Sequence, residues 1–160
     1  TNVMPLDLDE ACFVSGGLKS RFFWKGHPIT LPIIQGTEST GANSIAIRDK
    51  QKVKNSLHFV VVGGDFAKDT SSLKNCFYTK DGGKNWIAPI TPPHGYRSCV
   101  EYITKTKLIC CGTTGVDIST DGGKNWKLIS KEGFHVCRKS KNGNAVFLAG
   151  SNGKIAKLVD

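Results

Sequence analysis

Two aspartates, Asp81 and Asp121, stand 40 residues apart in near-identical settings, "TKDGGKNW" at 79–86 and "STDGGKNW" at 119–126. A carboxylate followed by two glycines could bind a cation, act as an acid, base or nucleophile, or accept backbone N–H groups in a turn. A calcium loop gathers about six to eight oxygen ligands, and one aspartate per segment supplies too few. A catalytic carboxylate is not normally duplicated once per repeat. The turn needs least. Asp-Gly is a strong hairpin signal, because glycine enters positive φ at little cost. The aspartate accepts from turn N–H groups, and the Ser or Thr two residues earlier does the same more weakly. Trp86 and Trp126 are then expected to fold back and pack between neighbouring sheets.

Other reactive side chains are scattered. The histidines, His27, His58, His94 and His135, are single residues without ligand spacing. Cys12, Cys76, Cys99, Cys110, Cys111 and Cys137 lie in apolar runs such as "LICCG" and form no CxxC pair. Buried thiols are the expectation, with disulfides between neighbouring strands left open. "VVVGGDFAKD" lacks the GxGxxG pattern and a following helix, so no nicotinamide site is read there. No metal and no cofactor are expected. Net charge is +9, but the lysines fall in turns such as "RDKQKVKN" and "RKSKNGN" and form no basic helix. They read as solvated turn residues rather than a nucleic-acid site. No run approaches the ~18 apolar residues of a membrane span.

The elements that must carry these residues repeat. Four apolar runs end in glycine, "CFVSGG", "FVVVGG", "LICCGT" and "VFLAGS", with first glycines Gly16, Gly63, Gly112 and Gly150. Upstream stand Gly41, Gly95 and Gly133; the last two precede their partners by 17 residues each. The runs are short, β-branched or aromatic, and bounded by Gly, Asn and Asp, which predicts strands. A full repeat reads as four strands, A to D: "GYRSCVEYI", "KLICCG", "GVDIST" and "NWKLIS". Such units of roughly 40–50 residues predict an all-β chain of four-stranded β-propeller blades, with the DGGKNW turns on the C–D hairpins. Approximate blades are 1–33, 34–91, 92–130 and 131–160. The first repeat opens near its A strand and the last stops before a D strand. That leads us to expect a C-terminal segment of a larger propeller, or self-association that covers the open faces.

Thr79, Asp81, Gly83 and Trp86, then Ser119, Asp121, Gly123 and Trp126, resemble the Asp-box (bacterial neuraminidase, BNR) repeat. With "VVVGGD", "GYRSC" and "GSNGKIAKL", the chain resembles the photosystem II stability/assembly-factor-like propellers of non-photosynthetic bacteria. The likeness covers about 40–160 well and 1–39 weakly. It implies a propeller, an extracytoplasmic (periplasmic or secreted) setting, and relatives loosely labelled glycosyl hydrolase or oxidoreductase. Sialidase-like chemistry, as the resemblance implies it, needs an arginine cluster and an acid–nucleophile set. Only Arg21, Arg48, Arg97 and Arg138 are present. The expected function is therefore a non-catalytic module for binding or assembly. The alternatives are a sialidase-like glycoside hydrolase and, second, an oxidoreductase.

In a propeller the D–A and B–C loops share one face. "IQGTESTGAN", "ITPPHGYR" and "SKEGFH" are expected to bring Glu38, Asn43, Arg97 and His135 to one rim, where the long B–C loop adds Asp65 and Lys68. Converging polar groups at a concave mouth suit an anionic or carbohydrate-like ligand or a protein partner. Arg97 is the expected anchor, since a guanidinium pairs bidentately with an anion.

Overall fold

A computed structural model describes residues 3–7, 10–24, 27–49, 57–143 and 145–159. Among the described residues fourteen strands form four antiparallel sheets in chain order, arranged as blades of a β-propeller. The first sheet holds β1 (Val3–Asp7), β2 (Glu10–Ser15), β3 (Arg21–Trp24) and β4 (His27–Thr30). The second holds β5 (Thr40–Ile47), β6 (Phe59–Asp65) and β7 (Cys76–Thr79). The third is β8 (Cys99–Tyr102), β9 (Leu108–Gly112), β10 (Gly115–Ser119) and β11 (Lys127–Ser130). The fourth is β12 (Val136–Lys139), β13 (Val146–Ala149) and β14 (Ile155–Lys157).

The second sheet departs from the four-stranded expectation. Its fourth position is a single bridge, in which Tyr78 and Ile87 exchange backbone hydrogen bonds at 3.0 and 2.8 Å. Beyond it come Pro89, Pro92 and Pro93, which have no N–H to extend a ladder.

Strands inside the stack are buried along nearly their whole length, β6 and β9 above all. Their two faces meet different neighbours. Cys12, Val14, Phe22, Ile45, Phe59 and Val61 fill the core between the first and second sheets. Ala46, Val60, Val62, Val100, Leu108 and Trp126 fill the next. Cys99, Ile109, Cys111, Phe134, Cys137 and Leu148 fill the third. The outer strand β11 instead alternates exposed and half-buried residues.

The repeated glycines mark where one blade latches to the next. Arg97 N donates to Gly63 O at 2.8 Å, and Phe134 N to Gly112 O at 3.0 Å. The loop backbone entering each A strand therefore crosses the end of the preceding B strand. Space there is tight: a Cβ on Gly95 would lie 2.2 Å from Asp69 O, and one on Gly133 2.4 Å from Thr113 O.

Candidate functional site

The two aspartate turns are closed structures. Asp121 Oδ1 accepts from Ser119 Oγ at 2.9 Å and from the N–H groups of Lys124 and Asn125 at 3.0 Å. Its Oδ2 accepts from Asn125 Nδ2 at 2.8 Å. Asp81 does the same with Thr79 Oγ1 at 2.8 Å, Asn85 N at 2.9 Å and Asn85 Nδ2 at 2.7 Å. The backbone and side-chain amides of Asn85, with Thr79, hold the Asp81 carboxyl down at about 2. Burial acts to raise Asp121, but the Asn125 and Ser119 hydrogen bonds leave it lowered. Both carboxylates are thus saturated acceptors, filled by their own turns. Gly83 N and Gly123 N donate to Thr79 Oγ1 and Ser119 Oγ at 3.0 and 2.9 Å. Trp126 is buried between the second and third sheets, and Trp86 packs edge-on to Phe22 of the first sheet, with ring centroids 5.5 Å apart.

The opposite face carries the loops that enter the A strands. There a cleft of about 360 Å³ opens between the first, second and third sheets, lined by Gly16, Glu38, Ser39, Asn43, Phe66 and Tyr96 among others. Two of the six rim residues read from sequence, Glu38 and Asn43, line it. Glu38 is exposed on its wall and Asn43 is half-buried, with its Nδ2 donating to Tyr96 OH. Asp65 sits between the lining residues Gly64 and Phe66; a hydrogen bond from the Ser39 hydroxyl, then the Ala67 N–H, lowers its carboxyl. Asp65 also caps the short 3-10 turn Phe66–Lys68. That turn lifts Phe66 to 59% exposure, edge-on to Tyr96 at 6.4 Å. Lys68 ends the turn and points to solvent. His135 stands apart on the loop before β12, with Nε2 2.8 Å from Ser151 Oγ.

Arg97 is not a solvent-facing anchor. Its side chain is fully buried, and its Nε donates to Asp117 Oδ2 at 2.7 Å while Nη2 meets the same carboxylate. Nη1 is taken by Tyr96 O at 2.8 Å and Thr114 Oγ1 at 2.9 Å. The reason is electrostatic. "GVDIS" places a carboxylate on an apolar strand that neighbouring sheets cover, and a buried charge requires a counter-charge. His94 completes the cluster from outside, with Nδ1 2.7 Å from Asp117 Oδ1 and its own N–H on both oxygens at 3.3 Å. Asp117 therefore pins the "PPHGYR" loop to β10. The sequence reading passed over Asp117, His94, Phe66 and Tyr96. An aspartate at an inward strand position was a usable signal for the first, whereas nothing marked Phe66.

Among the described residues no group of three or more His, Cys, Asp or Glu is placed to hold a metal ion, and no helix is long and apolar enough to cross a membrane.

No family model matches the chain, and no curated protein sequence matches it. Solved structures do. The chain is similar to YCF48 bound to D1 peptide, with a TM-score of 0.61, 16% identity, and coverage of 96% of this chain and 49% of that one. It is similar to an ancestral GH74 enzyme at TM-score 0.61 and 18% identity, over 92% of this chain and 21% of that one. For YCF48 from Cyanidioschyzon merolae the TM-score is 0.55 and the identity 15%, over 99% of this chain and 52% of that one. The chain thus spans about half the length of the YCF48 structures and a fifth of the GH74 enzyme. At these identities the likeness concerns the fold, a run of β-propeller blades.

Proposed function

We propose that this chain is a non-catalytic propeller module that binds an extended segment of another protein in the cleft bounded by Glu38, Asn43, Phe66 and Tyr96. The observation that carries the reading is Phe66, a large aromatic held out of the core by a capped turn and set against Tyr96 over a polar cleft. Exposed aromatics beside convergent polar groups are the usual anchors of recognition sites. The peptide-bound state of the YCF48 neighbour supports a peptide as the kind of ligand. With Arg97 buried against Asp117, the rim offers Glu38 and Asp65 against Lys68. It suits donors and cationic side chains better than an anion.

A second reading has one observation in its favour. The Phe66–Tyr96 pair could stack on a sugar ring, and one structural neighbour is a GH74 enzyme. The extracytoplasmic setting implied by the Asp-box resemblance fits either ligand. Screening a random peptide library and a panel of soluble oligosaccharides against the purified chain separates the two. Phe66→Ala is expected to weaken the selected ligand about tenfold or more with an unchanged melting temperature. Equal affinity in that variant moves the site elsewhere, and selection of oligosaccharides alone replaces the peptide reading with the sugar one.

A further inference from the structure

Three of the six cysteines meet in one place. Cys99 opens β8, Cys111 faces it on β9, and Cys137 reaches across from β12 of the next sheet. All three are buried in the core shared by the third and fourth sheets, with Cys99 and Cys111 directly opposite each other in the β8–β9 register. Cys99 Sγ also meets Cys137 O at 3.4 Å. A cation sits on the same sulfur: Arg138 Nη1 donates to Cys99 Sγ at 2.9 Å. Arg138 is 46% exposed; the same Nη1 also donates to Cys137 O at 2.8 Å, and Glu101 Oε2 lies at 3.9 Å. The remaining cysteines differ. Cys12, Cys76 and Cys110 are buried thiols that desolvation raises.

Packing alone does not call for this arrangement, since a buried cysteine serves as a small hydrophobe without any cation. Thiol–disulfide exchange does call for it. It needs one sulfur favoured as thiolate by a positive neighbour, and a second sulfur within reach to resolve the intermediate. We propose that Cys99, Cys111 and Cys137 form a thiol–disulfide exchange centre, with Cys99 as the attacking sulfur and Cys111 or Cys137 as the resolving one.

The steps balance. The Cys99 thiolate attacks one sulfur of a small external disulfide such as glutathione disulfide. The external S–S bond breaks, one glutathione thiolate leaves, and a mixed disulfide remains on Cys99. The thiol of Cys111 or Cys137 attacks the Cys99 sulfur, its proton passes to the departing sulfur, and the second glutathione leaves as a thiol. Two electrons pass from the protein to glutathione, and the third cysteine keeps its thiol. A Cys99–Cys137 bond staples the third sheet to the fourth, whereas a Cys99–Cys111 bond joins two strands of the third.

Electrostatics agrees with the assignment of roles. Hydrogen bonds from Cys111 and Cys137, then the charge of Arg138, hold Cys99 well below the usual thiol range. Hydrogen bonds to Cys111 and Cys99, with burial, push Cys137 up. The Cys137 hydrogen bond favours the Cys111 thiolate, but its bond to Cys99 and burial outweigh this and raise it, with Arg97 a smaller opposing charge.

The test exposes the folded 160-residue chain to glutathione disulfide over a pH series, quenches with an alkylating agent, and maps disulfides by mass spectrometry of unreduced peptides. We expect one intramolecular bond that always includes Cys99, with four of the six thiols retained. Cys137→Ser should still form a bond through Cys111, and Cys99→Ser should form none. Arg138→Gln should slow the reaction about tenfold at neutral pH and move its pH dependence upward by about one pK unit. Because Arg138 is half-exposed, that variant keeps the test valid if Cys99→Ser fails to fold. A Cys111–Cys137 bond without Cys99, or oxidation at Cys12, Cys76 or Cys110, overturns the proposal. So does a rate indifferent to Arg138→Gln, or thiols that react only when the whole chain unfolds.

Discussion

Asp121 and Arg97 stabilise the same blade in different ways. Asp121 satisfies N–H groups of a turn that sheet pairing leaves free, so its removal costs stability and not chemistry. Asp121→Ala should destabilise the fold by about 0.5–3 kcal/mol in urea titrations. Acid should act through the same turns. The folded Asp81 carboxyl lies at about 2, below the ~3.9 of an unfolded chain. Its contribution is therefore present above the unfolded value and is lost as pH falls towards about 2. An Asp81→Asn variant should show a flatter loss of melting temperature over that interval. Arg97 behaves oppositely to a surface anchor. Truncating it leaves Asp117 buried without its cation, so Arg97→Ala should cost about 3–5 kcal/mol. A melting temperature unchanged in that variant would contradict the buried pairing.

At the scale of elements, the strands were legible because their β-branched runs end at regularly spaced glycines, and both aspartate turns lie on their C–D corners. Side-chain direction was less legible. Period-two alternation fails as a guide where strands such as β6 and β9 are covered on both faces, so the inward aim of Arg97 could not be read from "GYRSC". The loss of a full fourth strand in the second sheet was written in Pro89, Pro92 and Pro93, but the repeat pattern outweighed them. Phe66 gave no signal because its exposure comes from a turn in an irregular insertion. The glycines also had a second role, as sites of inter-blade contact. A Cβ at Gly112 would sit 2.1 Å from Tyr96 O, a backbone atom that cannot step aside. Gly112→Ala should therefore destabilise the chain by about 1–3 kcal/mol, measured by denaturant unfolding.

On the whole molecule, apolar side chains are left uncovered on the last sheet. Phe147 and Ile155 are 46% and 75% exposed, and strands carrying such residues invite pairing with another surface. Sedimentation velocity should show association that grows with protein concentration, and Phe147→Ser with Ile155→Ser should reduce it. A monomer at every concentration would remove self-association as the way this surface is covered.

The three cores described above each belong to two sheets at once, so no sheet is stable by its own contents. Thermodynamically the chain is close to a row of coupled units, in which each boundary contributes and each interior unit has two boundaries. Loss of an end unit removes one boundary, whereas loss of an inner one removes two. Opening should therefore begin at the outer sheets and travel inward. A given defect will be felt most at Val60, Val100 and Leu108, whose core joins the two inner sheets, and least in the first and fourth sheets.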